Sequence, residues 1–194
     1  MTGNVFMWGN RMVLFINACV RAESRTLQLA KAQLARISDD YSEIKLVDVT
    51  FPKIDESFLT KRDSLIANKQ FDDVLFAMAR QFAAADTIVI AAPYWDLSFP
   101  AMVKQYLEFI NVVGITFEYT DGGTPRGLCK ANKLYYVMTA GGNFVPEDFG
   151  YGYVKTLCQS FYGIKDVELI SATGLDVYGA DVSLILNEAL NKII

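Results

Sequence analysis

Residues 87–100 read Thr87-Ile88-Val89-Ile90-Ala91-Ala92-Pro93-Tyr94-Trp95-Asp96-Leu97-Ser98-Phe99-Pro100. The run to Ala92 is continuously apolar or β-branched, with no polar alternation, as expected of a strand covered on both faces. Two prolines then bracket a tyrosine, a tryptophan and an acid. Beyond Pro100, Met102, Tyr106, Phe109 and Ile110 fall at helical spacing. This is a strand, a stiff aromatic loop and a helix. The same rhythm recurs along the chain. Strand-like runs are Met12 to Ala18, Ile44 to Val49, Thr87 to Ala92, Leu134 to Thr139 and Val167 to Ala172. Helical spacing joins Leu27, Ala30, Leu34 and Ile37, and again Val74, Met78, Ala79 and Phe82. Five strands alternating with five helices, with right-handed crossovers, predict an α/β doubly wound five-stranded parallel sheet with helices on both faces.

The 194 residues are enough for one domain. Hydrophobic residues make up 52% and charged residues 21%, which excludes disorder. A net charge of -4 is unfavourable for tracking a polyanionic backbone, so nucleic acid is not an expected partner. The histidine count is 0, which removes Ser-His-Asp and Cys-His hydrolases, histidine-ligated zinc and histidine general bases. Chemistry must come from other groups or from a cofactor. Cys19, Cys129 and Cys158 form neither a C-x-x-C pair nor an even set, so no metal site is expected and a cytoplasmic home fits best.

Residues 1–11 hold Gly3, Gly9 and two Asn with no periodicity, and are expected to form a flexible N-terminal extension, with Met12 an alternative start. The domain is then 12–194. No run approaches the roughly 20 apolar residues that span a bilayer, so no membrane partner is expected. Val49 to Lys61 reads as a long loop leading into a helix near Lys61 to Asn68. Ile115 to Thr120 alternates, Asp121-Gly122-Gly123-Thr124-Pro125 turns and Leu128 resumes, which predicts a small β-hairpin insertion.

Open parallel sheets bind ligands beyond the carboxyl ends of their strands, where the winding reverses. After strand one, Asn17 to Thr26 carries neither G-x-G-x-x-G nor a Walker lysine. It does place the hydroxyls of Ser24 and Thr26 and the guanidiniums of Arg21 and Arg25 around a helix N-terminus, a setting suited to a phosphate monoester. Ser24 as a simple helix cap is the competing reading. After strand three, the Pro93 to Pro100 loop offers a wall for a flat heteroaromatic ring. After strand four, Gly141 and Gly142 let backbone approach a ligand edge closely. Phosphate, ring and ring edge along one sheet edge describe FMN.

The segment Ala91 to Pro100, followed by Lys104-x-Tyr106-Leu107 and Gly114-Ile115-Thr116-Phe117-Glu118-Tyr119, resembles the flavodoxin-like FMN-dependent NAD(P)H oxidoreductases of the NADH-azoreductase and quinone reductase branch. The similarity runs from about Met12 to the C-terminus. It implies a flavodoxin-like sheet of order 2-1-3-4-5, non-covalent FMN and a homodimer with its active sites at the subunit interface. It also implies hydride transfer from NAD(P)H through FMN to a quinone or azo compound, in two half-reactions. The implied cofactor contacts are Cys19, Arg21, Ser24, Arg25 and Thr26 at the phosphate, Pro93, Tyr94, Trp95, Asp96 and Leu97 at the ring, and Thr139, Ala140, Gly141 and Gly142 at its pyrimidine edge. Tyr119, Asn143 and Phe144 are the implied substrate pocket. Relatives carry Asn where this chain has Asp96, and a carboxylate beside the ring disfavours an anionic reduced flavin; a solvent-facing Asp96 is the alternative. A flavodoxin-like electron carrier and a non-catalytic flavin-binding redox sensor are the other functions open to such a fold.

Overall fold

The computed structural model describes residues 12–38 and 40–192. The expected extension over residues 1–11 lies outside the described residues. In chain order the elements are β1 (Val13–Asn17), α1 (Arg25–Ile37), β2 (Ser42–Lys45), α2 (Glu56–Ala67), α3 (Ala77–Ala84), β3 (Thr87–Ala91), α4 (Ala101–Ile110), β4 (Phe117–Tyr119), β5 (Pro125–Gly127), β6 (Lys133–Thr139), α5 (Tyr151–Leu157), β7 (Asp166–Ala172) and α6 (Val182–Lys192). The main sheet has the order β2-β1-β3-β6-β7 and all four pairings are parallel. Leaving out the separate β4-β5 hairpin, this is the expected order 2-1-3-4-5.

The continuous apolar strands are explained by two cores. Val13 and Phe15 of β1 face α1 and α6, packing with Leu29, Ala30 and Leu34 and with Leu186 and Ala189. Leu14 and Ile16 face the other way, into a core shared with Phe76, Phe82, Tyr106 and Tyr162. Every residue of β1 and β3 is buried. Alternate side chains point to opposite faces of a strand, so a two-sided core demands an apolar residue at every position.

Three boundaries differ from the sequence expectation. The second strand is Ser42–Lys45 rather than Ile44 to Val49, because Leu46–Asp48 turns into a 3₁₀-helix that buries Leu46 against α4. As an edge strand, β2 is largely exposed and short, which limits edge pairing. The helix expected near Lys61 begins earlier, at Glu56, because Asp55 accepts the Phe58 amide at 3.0 Å as its N-cap. The Val74 end of the next helix is a 3₁₀ turn, and α3 proper starts at Ala77. Six α-helices are therefore described rather than five.

The hairpin is present but shorter, with Phe117 opposite Gly127 and Tyr119 opposite Pro125. Its attachment explains the Gly-Ile-Thr-Phe sequence. The Thr116 hydroxyl, fully buried, donates to Ile110 O at 2.7 Å and accepts from the Val112 amide at 3.2 Å, tying the hairpin to the end of α4. Gly114 has φ +88°, and a Cβ there would lie 2.6 Å from the Phe71 ring. That motif is architectural, anchoring an insertion rather than touching a ligand.

Thr116→Val keeps the shape and removes both bonds. The Val112 amide still donates to Ile110 O at 2.9 Å, so the cost is that of the lost hydroxyl bonds, about 0.5–1.5 kcal/mol each, and the denaturation midpoint should fall accordingly. An unchanged midpoint in urea would show that the hairpin anchor lies elsewhere.

Candidate functional site

Backbone pairing continues past the strand ends and sets the positions of the loops. Ala18 N donates to Ala91 O at 2.9 Å, Ala92 N to Val137 O at 2.9 Å, Tyr94 N to Thr139 O at 3.0 Å and Ala140 N to Ala172 O at 3.0 Å. A cleft of about 500 Å³ opens above them, within the size range of small-molecule sites. Its lining takes Arg21, Ser24, Arg25 and Thr26 from the first loop, Pro93, Tyr94 and Trp95 from the third, and Thr139, Ala140 and Gly141 from the fourth. Ten of the expected cofactor residues thus meet in one place.

At one end stands the α1 N-terminus. Ser24 is its N-cap, the hydroxyl accepting the Leu27 amide at 3.2 Å, so the capping reading is correct. The cap leaves the amides of Arg25 and Thr26 without an acceptor among the described residues. Thr26 is buried and its hydroxyl lies 2.7 Å from that of Thr139, bonding the first turn of α1 to the end of β6.

At the other end, Trp95 and Ser98 exchange backbone bonds of 3.0 and 2.8 Å around a two-residue turn with Asp96 at φ +49° and Leu97 at φ +67°. Such turns favour Asn-Gly. Leu97 in the left-handed region costs about 1–2 kcal/mol, and strain of this kind gathers at functional sites. The Asp96 and Leu97 amides have no acceptor among the described residues. The Asp96 side chain is exposed and makes no cap to α4. Ser98 Oγ donates to Phe149 O at 2.5 Å, tying the turn to the Gly141–Gly150 loop.

Several expected residues stand apart from the cleft lining. Cys19 is buried beneath the first loop, its amide donating to Asn17 Oδ1 at 2.9 Å. Burial raises its thiol above the ordinary range, a hydrogen bond from Ser24 partly opposing it and the Glu43 carboxylate adding to it. Gly142 and Phe144 are exposed, Phe144 at 78%, and Tyr119 lies on the hairpin, outside the cleft. Asn143 lines a neighbouring cavity of about 230 Å³ that shares Tyr94 with the main cleft. The Tyr94 hydroxyl is buried without a partner, and desolvation pushes its phenol up.

The cleft also holds Val20, Glu23, Leu175 and Asp176, which the sequence reading did not select. Leu175 and Asp176 come from the loop after β7, where Gly174 N, Leu175 N and Asp176 N donate to Gly142 O, Ala140 O and Gly141 O. Asp176 pairs with Arg25 at 2.8 Å. A Cβ on Gly141 would lie 2.3 Å from Asp176 Oδ2. The lining therefore has two carboxylates, Glu23 and Asp176, beside the two expected guanidiniums. Examining the loop after every strand would have found Asp176.

A further cavity, about 350 Å³ and lined by Ile54, Phe58, Leu59 and Phe109 among others, takes no residue from the loops after β1, β3, β6 or β7. The main cleft fits a phosphate-bearing planar group, with bare amides at a helix N-terminus and an aromatic wall at Tyr94 and Trp95; Asp96 and Leu97, also expected at the ring, stand outside its lining. Among the described residues no helix is long and apolar enough to cross a membrane, and no His/Cys/Asp/Glu group could hold a metal ion.

The family model described as flavodoxin-like fold matches residues 11–194. An FMN-dependent NADH:quinone oxidoreductase of Clostridium perfringens is 35% identical over 191 residues, covering 94% of this chain and 96% of that protein. An FMN-dependent NADH:quinone oxidoreductase 2 of Clostridium acetobutylicum is 37% identical over 191 residues, covering 93% and 94%. The crystal structure of an azoreductase from Bacillus anthracis superposes with a TM-score of 0.80 at 25% identity, covering 94% of this chain and 96% of that one. With its sheet order, its cleft and these relatives in agreement, the chain belongs to the flavodoxin-like family, in the branch of the quinone oxidoreductases and azoreductases.

Proposed function

We propose that the protein is an FMN-dependent NADH oxidoreductase that reduces quinones or azo compounds, binding FMN in the cleft above the strand ends. The observation that carries this is one cleft that brings the α1 N-terminus, with its bare Arg25 and Thr26 amides, together with Tyr94 and Trp95. Bound FMN supplies hydride transfer from NADH to a two-electron acceptor. The Arg25 and Thr26 amides, with the helix dipole behind them, would hold the phosphate. Tyr94 and Trp95 would flank the ring, and the Asp96 and Leu97 amides would hold its polar edge, fixed in advance by the turn's hydrogen bonds. Thr139, Ala140 and Gly141 close the remaining side. Donor and acceptor would use the open face in turn, a ping-pong order suited to one aromatic cleft. With no histidine in the chain, protons would reach the acceptor from water.

The same edge exposes Trp95, Leu97, Phe144, Phe149 and Tyr178. Apolar surface gathered at a cleft mouth suits an interface, and a two-fold homodimer there would finish the acceptor pocket.

Two measurements test this reading. Purified protein given FMN should take it up stoichiometrically and catalyse quinone-dependent NADH oxidation, whereas FMN uptake with no turnover would favour a carrier or a sensor. In solution the mass should be near twice 21.7 kDa; full activity at the monomer mass would refute the shared pocket.

A further inference from the structure

We infer that Asp176 is a specificity residue of the phosphate end, a carboxylate that occupies Arg25 until a phosphate monoester displaces it, and so sets how tightly the cofactor is held. The inference rests on the proposed FMN site. Arg25 is the first residue of α1, where the helix dipole disfavours a cation, and the first turn of α1 contains no acid of its own. A guanidinium placed there needs an anion, and Asp176 supplies one from 151 positions away, Oδ1 lying 2.8 Å from Nη1. Asp176 is held in place by its own backbone, its amide donating to Gly141 O at 2.9 Å, and its second oxygen lies where a Cβ on Gly141 would stand. The absence of a side chain at Gly141 is what lets the carboxylate reach Arg25.

The pair is built to be exchanged. The Asp176 side chain is 70% exposed and that of Arg25 39%, and solvent-exposed ion pairs are weak. The competing ligand is a dianionic phosphate that also receives the Arg25 and Thr26 amides, which a carboxylate fixed over Gly141 does not reach. Asp176 and the nearby Glu23 together cancel the charge of Arg21 and Arg25 across the lining. A phosphate must overcome that neutrality, and an uncharged flavin gains nothing at this end.

The test compares FMN with riboflavin, which lacks the phosphate, by quenching of flavin fluorescence on binding. In Asp176→Asn the FMN dissociation constant should fall about tenfold, equivalent to about 1.4 kcal/mol, while that for riboflavin stays put. In Asp176→Asn combined with Arg25→Gln the gain should vanish. Unchanged or weaker FMN binding in Asp176→Asn would overturn the inference, since Asp176 would then be aligning Arg25 rather than competing for it. An equal gain for riboflavin would also overturn it. Parent protein that binds riboflavin and FMN alike removes the phosphate site itself, and with it the cofactor reading; parent that prefers FMN beside an unchanged variant removes only the role of Asp176.

Discussion

The site depends on hydrogen bonds that carry the parallel sheet beyond its last regular residues. Ala18 to Ala91, Ala92 to Val137, Tyr94 to Thr139 and Ala140 to Ala172 are ladder bonds made by loop residues. They turn three connections into a rigid rim. Ladder bonds of this kind are individually modest, but here they fix the departure of the loops after β1, β3 and β6. The phosphate end, the aromatic turn and the Gly141 edge are therefore held at fixed separation by the backbone alone.

Two opposing terms are stored on that rim. The Asp96–Leu97 turn carries backbone strain and leaves two amides without acceptors; the Arg25–Asp176 pair satisfies a cation at a helix end that disfavours it. A ligand that brought an anion to one end and hydrogen-bond acceptors to the other would offset both, which is the sense in which the proposed site is preorganised.

Much of this was legible in the sequence. Five continuous apolar runs and helical spacing between them led to the parallel sheet, because a two-sided core leaves a distinct pattern, while its strand order came from the family resemblance. Ten cleft residues followed from the rule that ligands sit at strand carboxyl ends. What escaped was set by tertiary packing. Leu46–Asp48 has strand composition yet curls into a 3₁₀ turn against α4. Asp176 reaches Arg25 only because β7 pairs with β6, a relation across 151 residues with no local signal. Cys19 has the right neighbours in sequence but points inward, beneath the loop.

A crystal structure of the protein grown with FMN tests the central claim most directly. The account predicts the phosphate within hydrogen-bond distance of the Arg25 and Thr26 amides, Asp176 displaced from Arg25, and the flavin ring against Trp95 with the Asp96 and Leu97 amides at its polar edge. FMN bound in the cavity beside Phe58 and Phe109, or lying in the main cleft with its phosphate at the Trp95 turn, would contradict it.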